Sequence, residues 1–186
     1  MNEEVGLKTI EDIEGSALKW VQPSSGRYYE LAGSGGVYAT LRWEGVFGSL
    51  ATGRTRGDSY TFKRGGFLLP YVTVRKAPYD QDIGRMRMGF GGGGDLEMAD
   101  GRRFAFTKTG FWSPEWSFHS ENGNKICTYK MASTFLKRQA DVLLELDPKR
   151  APNIEMLLIL GWYVIILQAD EAAAAASGGA AMASMH

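Results

Sequence analysis

One cysteine, two histidines and six prolines among 186 residues leave little material for covalent staples or for ordinary catalytic sites. The lone Cys127 cannot form an internal disulfide, so nothing points to an oxidising compartment. A zinc site of recognisable spacing cannot be built from His119, His186 and that one thiol. The start, Met1-Asn2-Glu3-Glu4, is acidic and has no apolar run behind it, unlike a secretory signal peptide of the usual form. The expected location is cytoplasmic.

Net charge is zero, which argues against broad nucleic-acid binding. The zero hides a gradient. Residues 1–30 carry three basic and six acidic side chains, residues 31–138 carry 16 and nine, and residues 139–186 carry two and six. A solvated surface of mixed sign and an anion-facing patch on the middle portion both fit that distribution.

Hydrophobic residues make up 44% of the chain, charged residues 23% and aromatics 12%, with 24 glycines. These are the proportions of a globular domain with many short strands and tight turns. Strand patterns occur at Ala17–Gln22, Arg27–Ala32, Val37–Trp43, Tyr60–Lys63 and Phe67–Lys76, where Pro70 implies an edge or a bulge. From Arg85 to Met88 arginines and methionines alternate, and Leu96 and Met98 alternate with Asp95 and Glu97. Asp100-Gly101 reads as a two-residue hairpin turn with positive φ expected at both positions, and Asn122-Gly123 marks another hairpin. Trp116 and Phe118 alternate with Ser117 and His119, and Ala140–Asp147 is a further strand. Strands at this spacing, with no strand–helix–strand alternation, define a sandwich or a barrel.

Two stretches break that pattern. Thr9 to Ile13 predicts a short helix with Thr9 and Asp12 in capping-box spacing, inside an N-terminal segment 1–16. Near the other end, Met156 to Leu167 is twelve residues without a charge, and Asn153 is placed to cap it. A helix apolar all round belongs in a core or a membrane. Twelve residues rise about 18 Å, short of a hydrocarbon layer of about 30 Å. Burial in a protein core, with no transmembrane span, is therefore expected for a central helix over 153–170 built on Leu157, Leu158, Leu160, Trp162, Val164 and Ile165. The tail 171–186 holds eight alanines in Ala172–His186; Gly178-Gly179 should end any helix there, with disorder beyond.

Motif-like fragments weigh little. Gly89-Phe90-Gly91-Gly92-Gly93-Gly94 matches G-x-G-x-x-G in form, but a strand pattern follows where a phosphate-binding loop needs a helix. Asp95, Glu97 and Asp100 lack calcium-loop spacing. His119-Ser120-Glu121 lacks the P-C-x-x-C that a zinc deaminase requires. No catalytic residue, metal or cofactor site is expected, and Cys127 reads as a packed thiol.

The order of strands closed by one wholly apolar C-terminal helix resembles the tubby-like superfamily, which includes the Tubby C-terminal domain, the phospholipid scramblases and the LURP-one-related proteins. The residues carrying the resemblance are Leu96-Glu97-Met98-Ala99-Asp100-Gly101-Arg102-Arg103-Phe104, Trp116-Ser117-Phe118 before Asn122-Gly123-Asn124, and Met156–Leu167, within a domain spanning 17–170. The resemblance implies a mainly β fold, an antiparallel barrel of about a dozen strands enclosing the C-terminal helix. The scramblases' calcium segment, cysteine-rich run and proline-rich N-terminus have no counterpart here.

Three functions remain open. A non-enzymatic barrel could dock on anionic phospholipid, peripheral to the inner membrane face, through Arg85, Arg87, Arg102, Arg103 and Lys108. Trp112 and Trp116 would then plug the core or meet a membrane interface or ligand. The chain could instead be a structural or regulatory module for a protein partner, or an enzyme whose site is assembled from dispersed residues.

Overall fold

The computed structural model describes residues 6–13, 17–78, 81–110, 112–131 and 138–183, the last six as helix backbone only. Twelve antiparallel strands close into a barrel around one C-terminal helix. They are β1 (Ala17–Val21), β2 (Tyr28–Gly33), β3 (Gly36–Trp43), β4 (Ala51–Thr55), β5 (Ser59–Gly65), β6 (Tyr71–Lys76), β7 (Gln81–Met88), β8 (Gly94–Met98), β9 (Arg103–Thr109), β10 (Glu115–Ser120), β11 (Lys125–Met131) and β12 (Ala140–Leu144). Each pairs with its sequence neighbours, and β1 closes the ring on β12 with Ala17 opposite Leu143. Closure leaves no open sheet edge.

The up-and-down order sorts the connections. Loops after odd-numbered strands collect at one end of the barrel, and loops after even-numbered strands at the other. Helix α1 (Ile154–Ala183) follows β12, enters at the even-loop end and leaves through the odd-loop end, called the exit end below. At entry, Asn153 sits beside Arg102; with the amide turned so that its oxygen faces the guanidinium, the oxygen lies 3.1 Å from Arg102 Nη2. At exit, Tyr163 Oη donates to Ser49 O (2.6 Å) and Gln168 Nε2 donates to Gly92 O (3.0 Å).

Met156 to Leu167 is buried on every face, as its uncharged composition demands. The stretch Ile154–Ser177 is long and apolar enough to cross a membrane, yet 67% of its most apolar window lies inside the protein. Trp162 stacks on Trp20 at 5.8 Å, and Tyr163 stacks on Trp43 (5.3 Å) and Phe62 (5.5 Å). Each large side chain removed from water in this way contributes about 1.5–3 kcal/mol. Leu157, Leu158, Leu160, Trp162, Val164 and Ile165 are all core residues.

Several local expectations are corrected. Strand β4 escaped the sequence pattern because its centre is Gly53; a Cβ there would lie 2.6 Å from Ile159 Cγ2, so the glycine lets the helix approach the wall. Phe67 to Pro70 is an exposed loop, not strand, and β6 starts at Tyr71. In the two hairpin turns only Gly101 (φ 87°) and Gly123 (φ 77°) are left-handed, whereas Asp100 and Asn122 are not. Thr9 precedes a 3-10 turn over Ile10–Asp12 without a side-chain capping bond. Asn153 is itself left-handed (φ 63°), so it turns the chain into α1 and does not adopt the extended backbone of an ordinary N-cap. The helix does not stop at Gly178-Gly179 but continues to Ala183, correcting the disordered tail as far as that residue. Residues 184–186, 1–5 and 14–16 lie outside the described residues.

Candidate functional site

The five expected basic residues do not form one patch. Arg85 and Arg87 project from β7 and Arg103 from β9, with β8 between them. The outward residues of β8 are Asp95 and Glu97. Glu97 lies 3.6 Å from Arg87 and 3.3 Å from Arg103, and Asp95 is the cross-strand partner of Arg87. Arg85 covers the Tyr71 ring at 4.5 Å. Arg102 is engaged by Asp100 and Asn153 at the helix-entry end. Lys108 lies over the Trp116 ring at 5.1 Å. Alternation of residue types along β8 set carboxylates between the arginines, so the wall is of mixed sign.

The expected aromatic pair is also separated. Trp116 is buried, whereas Trp112 is 93% exposed. Cys127 and its cross-strand partner Phe118 face the core, while His119, next along β10, turns outward to Thr107 Oγ1 at 3.1 Å. The sheet wall thus stands between His119 and Cys127. Burial pushes the thiol up to about 12, and Sγ donates to Tyr129 Oη at 3.8 Å. A thiol so held is a packing group, not an activated nucleophile. Among the described residues no group of three His, Cys, Asp or Glu side chains is placed to hold a metal ion. In the Gly89–Gly94 run, residues 89–93 turn between β7 and β8 and Gly94 opens β8, so a strand follows and not a helix.

The exit end has a different character. Among the described residues, the large apolar side chains that remain exposed are Val46, Phe47 and Leu50 after β3; Phe67, Leu68 and Leu69 after β5; Phe90 after β7; and Trp112 after β9. Every one belongs to an exit-end loop. Phe47, Phe67 and Phe90 are 94%, 97% and 106% exposed, so they project into solvent instead of packing on one another. Helix α1 rises through the middle of this ring with Ala172 to Ala176 exposed.

Beneath the tips, beside the helix, opens a cavity of about 980 Å³. Arg27, Arg64, Arg138, Asp170 and Glu171 line it. Arg27 Nη2 is 2.7 Å from Asp170, which also pairs with Arg138, and Arg64 Nη1 is 3.0 Å from Glu171. Arg27 also donates to Gly48 O (3.0 Å) and lies over the Trp43 ring (4.6 Å), but its Nε is buried without a partner. Burial raises the Tyr29 phenol pKa, against opposing contributions from Arg138 and Arg27.

Of this end, sequence reasoning picked out Trp112 and missed the other tips and the cavity. A signal was present: the fragments Gly45-Val46-Phe47-Gly48, Gly66-Phe67-Leu68-Leu69-Pro70, Gly89-Phe90-Gly91 and Gly110-Phe111-Trp112 set bulky apolar residues beside turn-forming glycines. Turns are ordinarily polar.

No protein-family model matches the chain, and no curated protein matches it. Among solved structures, the X-ray structure of a protein from Arabidopsis thaliana is similar, at 12% identity and a TM-score of 0.50, over 89% of this chain and 99% of that one. Likeness at that identity establishes the fold alone. The class of molecule is therefore a closed antiparallel barrel threaded by its own C-terminal helix.

Proposed function

We propose that this is a non-enzymatic, membrane-docking barrel that meets a phospholipid surface with its exit end and not with its wall. One observation carries the proposal: the large apolar side chains left in solvent among the described residues all lie in the loops of that one end. Scattered exposed apolar groups are ordinary, but their confinement to one rim marks a contact surface.

The separate, protruding tips suit a lipid surface. A fluid acyl layer receives independent prongs without needing a complementary shape. Each Phe, Leu or Val side chain fully transferred from water gains about 1.5–3 kcal/mol, so a few partly inserted tips suffice for reversible docking. Arg27 and Arg64 lie at the bases of the tip loops, where headgroups would sit. The twelve-stranded barrel around an apolar C-terminal helix also supports reading the chain as tubby-like. The buried free thiol of Cys127 suits the cytoplasmic membrane face.

Co-sedimentation with phosphatidylcholine vesicles, with and without phosphatidylserine, tests this. Wild type should pellet with vesicles, and Phe47→Ser with Phe67→Ser should bind at least about tenfold more weakly at an unchanged melting temperature. Equal binding by both proteins would end the proposal, and absence of binding in wild type would do the same.

A further inference from the structure

The arginine-lined cavity at the mouth of the barrel holds three guanidinium groups against two carboxylates, and both carboxylates belong to α1. We infer that this cavity is an anionic-headgroup site which Asp170 and Glu171 occupy as internal stand-ins, so that a lipid phosphate displaces them and frees the exposed part of α1. The inference rests on the membrane-docking reading above.

The chemistry is specific. A guanidinium pairs with a carboxylate or a phosphate through the same planar fork, so one can replace the other without rebuilding the site. Arg27 retains a buried Nε–H with no acceptor, which a carboxylate on a fixed helix has not satisfied. The site is open to solvent between the tip loops, so a headgroup reaches it from the side on which those tips would enter a bilayer. Among the described lining residues the arginines outnumber the carboxylates, leaving net positive charge for an anion.

The displacement has a mechanical result. On the exit side, the ion pairs Arg27–Asp170, Arg138–Asp170 and Arg64–Glu171 tie α1 to the loops, together with the Gln168–Gly92 bond. Beyond Glu171 the helix is alanine-rich and exposed. Trading the helix carboxylates for a headgroup phosphate unlatches that extension while Met156 to Leu167 stays in the core.

The test uses the full chain, vesicles of phosphatidylcholine alone or with phosphatidylserine, and glycerol phosphate as a soluble phosphate ester. Wild type should prefer anionic vesicles, and Arg64→Gln should reduce that preference about fivefold, the value of one basic contact near an anionic surface. The decisive variant is Asp170→Asn with Glu171→Gln, which should raise the preference by a similar factor and speed amide hydrogen exchange in residues 171–177. Loss of two negative charges favours an anionic surface by itself, so the exchange readout decides: wild-type residues 171–177 that exchange no faster on phosphatidylserine vesicles than in solution would overturn the inference, as would a variant that binds no better. If Arg64→Gln keeps the full preference while Phe47→Ser with Phe67→Ser loses binding, the rim reading stands and the headgroup site falls. Saturable chemical-shift changes at Arg27 Nε–Hε with glycerol phosphate, without any preference for anionic vesicles, would assign the cavity to a soluble ester and overturn the lipid assignment.

Discussion

Tyr129 on β11 reaches into the space that a side chain at Gly161 would fill. Its hydroxyl donates to Leu157 O (3.0 Å) and lies 3.1 Å from Leu158 O, and a Cβ on Gly161 would sit 2.5 Å from Tyr129 Cζ. A mid-helix glycine, ordinarily a cost of about 1 kcal/mol against alanine, is required here by a close approach of the wall. Gly161→Ala is expected to destabilise the barrel by about 1–3 kcal/mol through overpacking. In a Tyr129→Leu background the same change should cost less, a coupling that urea-unfolding midpoints of the single and double variants would show.

Cys127 should be silent in the native state. Burial holds its pKa far above neutrality, so thiol reagents at pH 8 are expected to label it only as fast as the barrel opens. Rapid stoichiometric labelling without unfolding would reopen the enzyme alternative.

Glu155, at the helix entry, links stability to pH. Its pKa is raised, chiefly by burial, with Asp58 and Glu11 adding to the shift against hydrogen bonds from Thr55 and Ile10. The folded state therefore holds this proton to a higher pH than the unfolded chain does. Its stabilising contribution is full below the ordinary glutamate range and is lost as pH rises through the raised value. Glu155→Gln should improve the melting temperature relative to wild type more at pH 7 than at pH 4. A difference of the opposite sign in calorimetry would contradict the assignment.

The barrel wall should prove indifferent to lipid. Arg85→Gln with Arg87→Gln removes two charges, and if that face were the contact, the loss of about 1 kcal/mol each would weaken vesicle binding roughly thirtyfold. Glu97 and Asp95 already offset these arginines, so binding within about twofold of wild type is expected in the same co-sedimentation assay.

The architecture was legible where periodicity was strong. The alternation from Arg85 to Met88 and from Leu96 to Met98 placed β7 and β8, and the uncharged run Met156–Leu167 announced the core helix. Strand β4 was not legible, because the contact that makes Gly53 necessary is with Ile159, more than a hundred residues away. The mixed sign of the wall was hidden for a related reason. Arg87, Arg103 and Glu97 could be counted from the sequence, but only the register shows that Glu97 lies between the other two. The exit-end cavity depends on which loops share an end and on where α1 emerges. Arg27, Arg64, Arg138 and Asp170 are far apart in the chain and carry no common motif.

Threading the barrel with its last described element also sets an order of assembly. During synthesis the twelve strands leave the ribosome before the helix that fills them, and β1 waits for β12 before the ring can close. Hairpins can form early, but the shell has no interior to fold around until Met156 to Leu167 arrives. A chain interrupted before Ile154 would be a curled sheet with its apolar face open to water. Such a product is a target for chaperones and proteases, so the position of α1 acts as a check that translation has run past it.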